Sequence, residues 1–191
     1  MTRIAIFASG SGTNAENIIR FFANKSDAAV AAVFCNKQNA AVIEKAQRLG
    51  VETIIFGRHE FYDTEIVYKL LVDKEIDLIV LAGFLWLMPE NIVNAFHYKI
   101  INIHPALLPA YGGKGMYGSR VHEAVIAAGE TESGISIHFV NTRYDEGSVI
   151  HQSKCSVDEN DTPESLAEKI HELEYTYYPE VVYQVAKGNL P

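Results

Sequence analysis

The stretch Lys99-Ile100-Ile101-Asn102-Ile103-His104-Pro105-Ala106-Leu107-Leu108-Pro109 decides how the rest of the chain is read. Ile100, Ile101 and Ile103 form the short apolar run of a buried strand. Asn102 and His104 interrupt that run at i and i+2, so both leave the same face of an extended chain. Pro105 has no amide hydrogen to give and ends the strand. An amide and an imidazole therefore stand side by side at a strand's carboxyl end, where open α/β sheets bind their ligands. A lone histidine there is ordinarily structural; the pairing with Asn102 is what marks this one.

Outward from that strand the chain alternates. Arg3 to Ala8, Val30 to Cys35, Glu52 to Phe56 and Leu78 to Ala82 read as four earlier strands. Helical patterns separate them. Asn14 is a candidate N-cap for a helix carrying Ile18, Ile19 and Phe22, Ala40 to Leu49 closes on Gly50, and Glu60 to Asp73 reads as one helix. Pro89 opens a short helix before the fifth strand. Such alternation predicts an α/β fold, a Rossmann-like, doubly wound and mainly parallel sheet. After a proline- and glycine-rich loop, Arg120 to Ala128 is expected as a helix. Ile135 to Val140 and Ser148 to Val157 are expected as an antiparallel extension. Thr162-Pro163 opens a terminal amphipathic helix, broken near Pro179. With no repeat or linker, residues 1–191 read as a single domain, with a phosphate-binding half (1–104) and a second half (105–191).

The 191 residues are 48% apolar and 21% charged, an ordinary globular balance, and the formal net charge of −8 argues against a general nucleic-acid or membrane-surface binder. Cys35 and Cys155 lie in strand-like runs without metal-ligand spacing, which suits a reduced, cytoplasmic setting. The apolar run Ile4 to Ala8 is too short for a signal-peptide core, and no run approaches membrane-spanning length.

Gly10-Ser11-Gly12-Thr13-Asn14-Ala15 follows the first strand and fits G-x-G-x-x-A, a turn that brings backbone amides at a helix N-terminus close to a phosphate. A dinucleotide site also needs an acidic residue after the second strand to hold a ribose. That strand ends Cys35-Asn36-Lys37, so a monophosphate is the better expectation. The apolar run Leu81 to Met88 can line a flat slot for an aromatic ligand or pack in the core. Asp145, in Tyr144-Asp145-Glu146-Gly147, stands in the turn between the two late strands.

Four segments, Ser9 to Asn14, Leu81-Ala82-Gly83-Phe84, Ile101 to Pro109 and Asp145-Glu146-Gly147-Ser148-Val149-Ile150, follow one another in an order that resembles the formyltransferase superfamily using 10-formyltetrahydrofolate. The resemblance covers essentially the whole chain and is strongest in N-x-H-P-x-L-L-P with the downstream aspartate. It points to the branch that formylates glycinamide ribonucleotide in purine synthesis. The resemblance implies that Asn102, His104 and Asp145 are catalytic, that Ser11, Gly12, Thr13 and Asn14 hold the substrate phosphate, and that Glu174 grips the ribonucleotide. It implies that Phe84, Leu85, Trp86, Leu87, Met88, Asn141 and Tyr144 border the folate. The loop Tyr111 to Gly118 departs from the family's shorter P-G-x-H-like pattern, and His122 behind it has no clear counterpart.

The implied chemistry fits the residue types. An amine attacks the formyl carbon, Asn102 and His104 donate to the developing oxyanion, and Asp145 orients His104 and assists proton transfer. No metal or covalent nucleophile is needed. The alternatives are another acceptor (an amino sugar, methionyl-tRNA or water) or a dinucleotide-binding module without catalysis. The expected partners are the small-molecule substrates, not nucleic acid or membrane, with the chain a monomer or homodimer.

Overall fold

A computed structural model describes residues 1–189. Seven strands, β1 (Thr2–Ala8), β2 (Ala28–Cys35), β3 (Glu52–Ile55), β4 (Leu78–Leu81), β5 (Ile100–His104), β6 (Glu132–Phe139) and β7 (Val149–Ser156), form one sheet in the order β3-β2-β1-β4-β5-β6-β7. The first five pair in parallel; β6 and β7 add on antiparallel. The α/β class, the parallel sheet and the antiparallel extension agree with the expectation from sequence.

Side-chain alternation sorts the strands onto two faces. Ile4, Ile6 and Ala8 of β1 and Ile101 and Ile103 of β5 pack with Ile18 and Phe22 of α1 (Thr13–Phe22) and with Leu166, Ile170, Tyr178 and Val182 of α7 (Pro163–Ala186). Ala5 and Phe7 of β1 and Ile100 of β5 face the other way. They meet Phe61 of α3 (Arg58–Tyr62), Val67 and Leu71 of α4 (Ile66–Asp73), and Ile92 and Val93 of α5 (Glu90–Ala95). Phe7 stacks on Phe34 at 4.8 Å between ring centres. The remaining helices are α2 (Ala41–Arg48) and α6 (Ser119–Ala127).

Four local expectations are corrected. The helix expected over Glu60 to Asp73 is two. Gly57 N donates to Glu60 Oε2, so α3 starts earlier, and Thr64 Oγ1, accepting from Ile66 N at 3.2 Å, starts α4 anew. Asn14 is not the N-cap of α1; Gly12 holds that place in the left-handed region, φ 70°, with no side-chain cap. A Cβ on Gly12 would lie 2.4 Å from Val42 Cβ, so both its dihedral angle and its packing require glycine. β6 begins at Glu132, ahead of Ile135, because pairing with β7 outweighs the poor strand propensity of Gly134.

The last helix, finally, is not broken at Pro179 but runs through it. A proline removes the hydrogen bond to the carbonyl four residues back, here that of Tyr175. Asn17 Nδ2 of α1 donates to that carbonyl at 2.9 Å. A neighbouring helix thus satisfies the group that proline leaves free.

The chain reverses its winding between β1 and β4, whose outgoing loops separate after Ser9 N donates to Gly83 O. The glycine turn, Gly83 and the end of β5 consequently share the sheet's carboxyl edge, at its topological switch point.

Candidate active site

A cavity of about 630 Å³ opens at this edge. Its wall includes Gly10 to Asn14, Phe84, Leu85, Asn102, His104, Tyr144, Asp145 and Glu174. Residues far apart in sequence are gathered here because three strand ends, the β6–β7 turn and α7 converge.

Asp145 sits at the centre of the polar cluster. His104 Nδ1 is 3.6 Å from Asp145 Oδ2, Asn102 Nδ2 is 3.5 Å from Oδ1, and the Gly113 amide donates to Oδ2 at 2.9 Å. Asp145 adopts φ 56°, the left-handed conformation that a short polar residue tolerates in a turn. Burial by itself raises its carboxyl. The adjoining His138 ring, the His104 charge and the Gly113 amide outweigh that, holding Asp145 below the usual aspartate value and ionised.

His104 is 3% exposed, and its Nε2 donates to the Tyr111 carbonyl at 2.7 Å. Burial lowers its pKa most; Asp145 and the Tyr111 carbonyl pull it up, leaving a net downward shift.

Sequence reading missed His138. It lies opposite Asn102 in the β5–β6 register, buried, with Nδ1 donating to the Phe139 carbonyl at 2.8 Å. Its Nε2 is 3.1 Å from Asn102 Nδ2 and 3.6 Å from Asp145 Oδ1. The signal was available: Ser136 and His138 interrupt an apolar strand at i and i+2, as Asn102 and His104 do.

Ser11, Gly12, Thr13 and Asn14 all line the cavity, and the first amides of α1 have no side-chain cap, an arrangement suited to an anion. Lys37, Lys114 and Arg120 also line the wall, a local positive lining in an acidic chain. Glu174 is 7% exposed and accepts from Asn14 Nδ2 at 2.8 Å. Burial raises its carboxyl above the ordinary glutamate value despite that bond and the nearby His171. Asn14 Oδ1 and His122 Nδ1 are buried polar atoms without a partner, so this end of the wall retains unsatisfied hydrogen-bonding capacity.

The residues expected around folate divide. Phe84, Leu85 and Tyr144 line the cavity. Trp86 instead packs edge to face on Phe56, ring centres 6.2 Å apart, and Met88 is core at 2% exposure. The Leu87 carbonyl accepts from Tyr62 Oη, and Asn141 Oδ1 accepts from Arg143 N within its own turn. The apolar run 84–88 thus turns inward after Leu85, which periodicity alone does not reveal.

The model of the formyl transferase family matches residues 2–182. The chain is 41% identical to the chloroplastic phosphoribosylglycinamide formyltransferase of Arabidopsis thaliana over 98% of its own length, and spans 66% of that relative. It is 35% identical to phosphoribosylglycinamide formyltransferase of Bacillus subtilis, over 97% of this chain and 95% of that one. The crystal structure of phosphoribosylglycinamide formyltransferase from Anaplasma phagocytophilum is similar at a TM-score of 0.88 and 34% identity, over 98% of this chain and 88% of that one.

Proposed function

Because the chain belongs to the formyl transferase family, we propose that it transfers the formyl group of 10-formyltetrahydrofolate to the amine of glycinamide ribonucleotide, as in purine synthesis. The observation that carries this reading is that Asn102, His104 and Asp145 meet on the wall of the cavity that the glycine turn also lines. Relatives bearing that enzyme's name over nearly their whole length support it.

The cavity offers each substrate a distinct part of its wall. The uncapped start of α1 receives the phosphate, and Glu174, bonded to Asn14 on a wall that His122 also lines, takes the polar body of the ribonucleotide. Phe84, Leu85 and Tyr144 offer the folate an apolar border. The folate supplies the formyl carbon.

The chain's residues carry the rest. His104 and Asn102 donate to the oxygen that becomes negative as the amine adds to the formyl carbon. The Asn102 hydrogen aimed at Asp145 is held only at 3.5 Å, so it is the one free to turn to that oxygen. Asp145, ionised, favours the cationic form of His104 and accepts the proton that the attacking amine sheds, directly or through one water; as the oxyanion re-forms the carbonyl and the formyl carbon's bond to the folate nitrogen breaks, that proton passes to the leaving nitrogen.

The test is a panel of acceptors with one donor: glycinamide ribonucleotide, a nucleotide-linked amino sugar, and water. Turnover on the ribonucleotide alone supports the reading. Turnover on the amino sugar alone keeps the donor and overturns the acceptor.

A further inference from the structure

The loop Tyr111 to Gly118 is the sequence feature that the function leaves unexplained, and its first three residues grip the catalytic pair by backbone alone. The Tyr111 carbonyl accepts from His104 Nε2 at 2.7 Å, and the Gly113 amide donates to Asp145 Oδ2 at 2.9 Å. Gly112 between them has no room for a side chain, since a Cβ there would lie 2.6 Å from Leu108 Cδ2 and 3.3 Å from Asp145 Cβ. Tyr111 holds φ 55°, a left-handed conformation unfavourable for an aromatic residue. Its hydroxyl donates to Glu130 Oε1, beyond the end of α6, at 2.7 Å.

We propose that Tyr111 to Gly113 is a backbone clamp that fixes the His104 proton on Nε2, and that the Tyr111–Glu130 hydrogen bond holds this clamp in its strained, working shape. This rests on reading His104 as a donor to the formyl oxygen.

A carbonyl only accepts, so the nitrogen facing Tyr111 carries hydrogen whether the ring is neutral or charged. Nδ1, the nitrogen turned towards Asp145, then bears a proton only in the imidazolium. Proton donation through Nδ1 is thereby tied to the charged ring. Without the clamp, a neutral ring can move its single hydrogen to Nδ1, where the Asp145 carboxylate takes it, and the donating imidazolium loses the Tyr111 carbonyl that stabilises it. Asp145 from the β6–β7 turn, His138 from β6 and His122 from α6 are the titratable groups acting on His104, and the clamp leaves all three in place. Tyr111 and Glu130 are positioning residues that touch neither substrate nor reacting atoms in this account.

The experiment uses the full chain labelled with 15N-histidine, native and as Tyr111→Phe and Glu130→Ala, with thermal unfolding recorded for each. Nitrogen shifts identify the neutral tautomer of His104, and steady-state kinetics follow kcat against pH. The native ring should be the Nε2–H tautomer. Either folded variant should gain Nδ1–H tautomer and lose kcat on the order of 10²-fold, with both KM values nearly unchanged, as for a misplaced catalytic group. A native Nδ1–H tautomer overturns the clamp, as do folded variants with native tautomer and native pH profile. If Tyr111→Phe does not fold, Glu130→Ala, altered only at an outer acceptor, decides alone. Failure of the native chain to transfer formyl would overturn the functional reading instead, because the tautomer is read without substrate.

Discussion

Glu174 and Asp145 are both cavity carboxyls, yet their surroundings push them in opposite directions. Asp145 has two neighbouring imidazoles and a backbone amide, and stays ionised. Glu174 is buried with one amide donor, and its carboxyl is raised. Its contribution to stability is therefore full below the ordinary glutamate value and is lost as pH rises through the raised folded value. At neutral pH the protein bears that cost for an acceptor in the cavity wall, beside the proposed ribonucleotide site. Glu174→Gln keeps the oxygen that accepts from Asn14. It should raise the melting temperature near neutral pH, raise it less under mildly acidic conditions where native Glu174 is protonated, and raise KM for the ribonucleotide. Unfolding scans across pH, with and without ribonucleotide, check this; a lower melting temperature near neutral pH would contradict it. Asn102→Ala removes one oxyanion donor and should cost roughly 3–4 kcal/mol of transition-state stabilisation, read as kcat.

The element proposed to take the phosphate is the β1–α1 turn, and Gly12 is its critical residue. Gly12→Ala would impose a left-handed alanine, worth about 1–2 kcal/mol, and drive its Cβ into Val42. The expected result is a lower denaturation midpoint together with weaker ribonucleotide binding and unchanged folate binding; an unchanged ribonucleotide KM would separate the turn from the phosphate. Much at this scale was legible in advance. The apolar runs and the Gly, Pro and Thr punctuation located all seven strands and most helices. What was not legible depended on partners distant in sequence. Asn17, far away in α1, lets α7 pass through Pro179, and Val42 dictates the glycine that begins α1. Likewise, whether residues 84–88 face a ligand or the core is decided by Phe56 and Phe61, not by their own pattern.

Across the whole molecule, acid sensitivity falls on buried histidines of the cavity wall, His104, proposed to be catalytic, among them. Burial holds both His104 and His122 below the ordinary histidine value. Their stability contribution is complete above that value and is lost as pH falls through the depressed folded values. Against the opposite trend of Glu174, the two histidines should impose a decline in stability as pH drops below about 6.5, and His122→Gln should make that decline shallower. An equally steep decline in the variant, followed by thermal unfolding, would remove His122 from the explanation. Of the residues proposed to be catalytic, Asn102 and His104 stood out in the sequence because they interrupt an apolar strand, whereas Asp145, an ordinary residue for its turn, was singled out only by the family resemblance. His138, the backbone clamp and the inward turn of Trp86 became visible only once β5, β6 and the loop after Pro109 were brought together. The most direct measurement is formyl transfer from 10-formyltetrahydrofolate to glycinamide ribonucleotide by the native chain, with His104→Ala and Asp145→Asn assayed in parallel. The account predicts turnover by the native chain and a loss of roughly 10²–10⁴-fold in each variant at unchanged fold. Native-like turnover by either folded variant, or no transfer by the native chain, would contradict it.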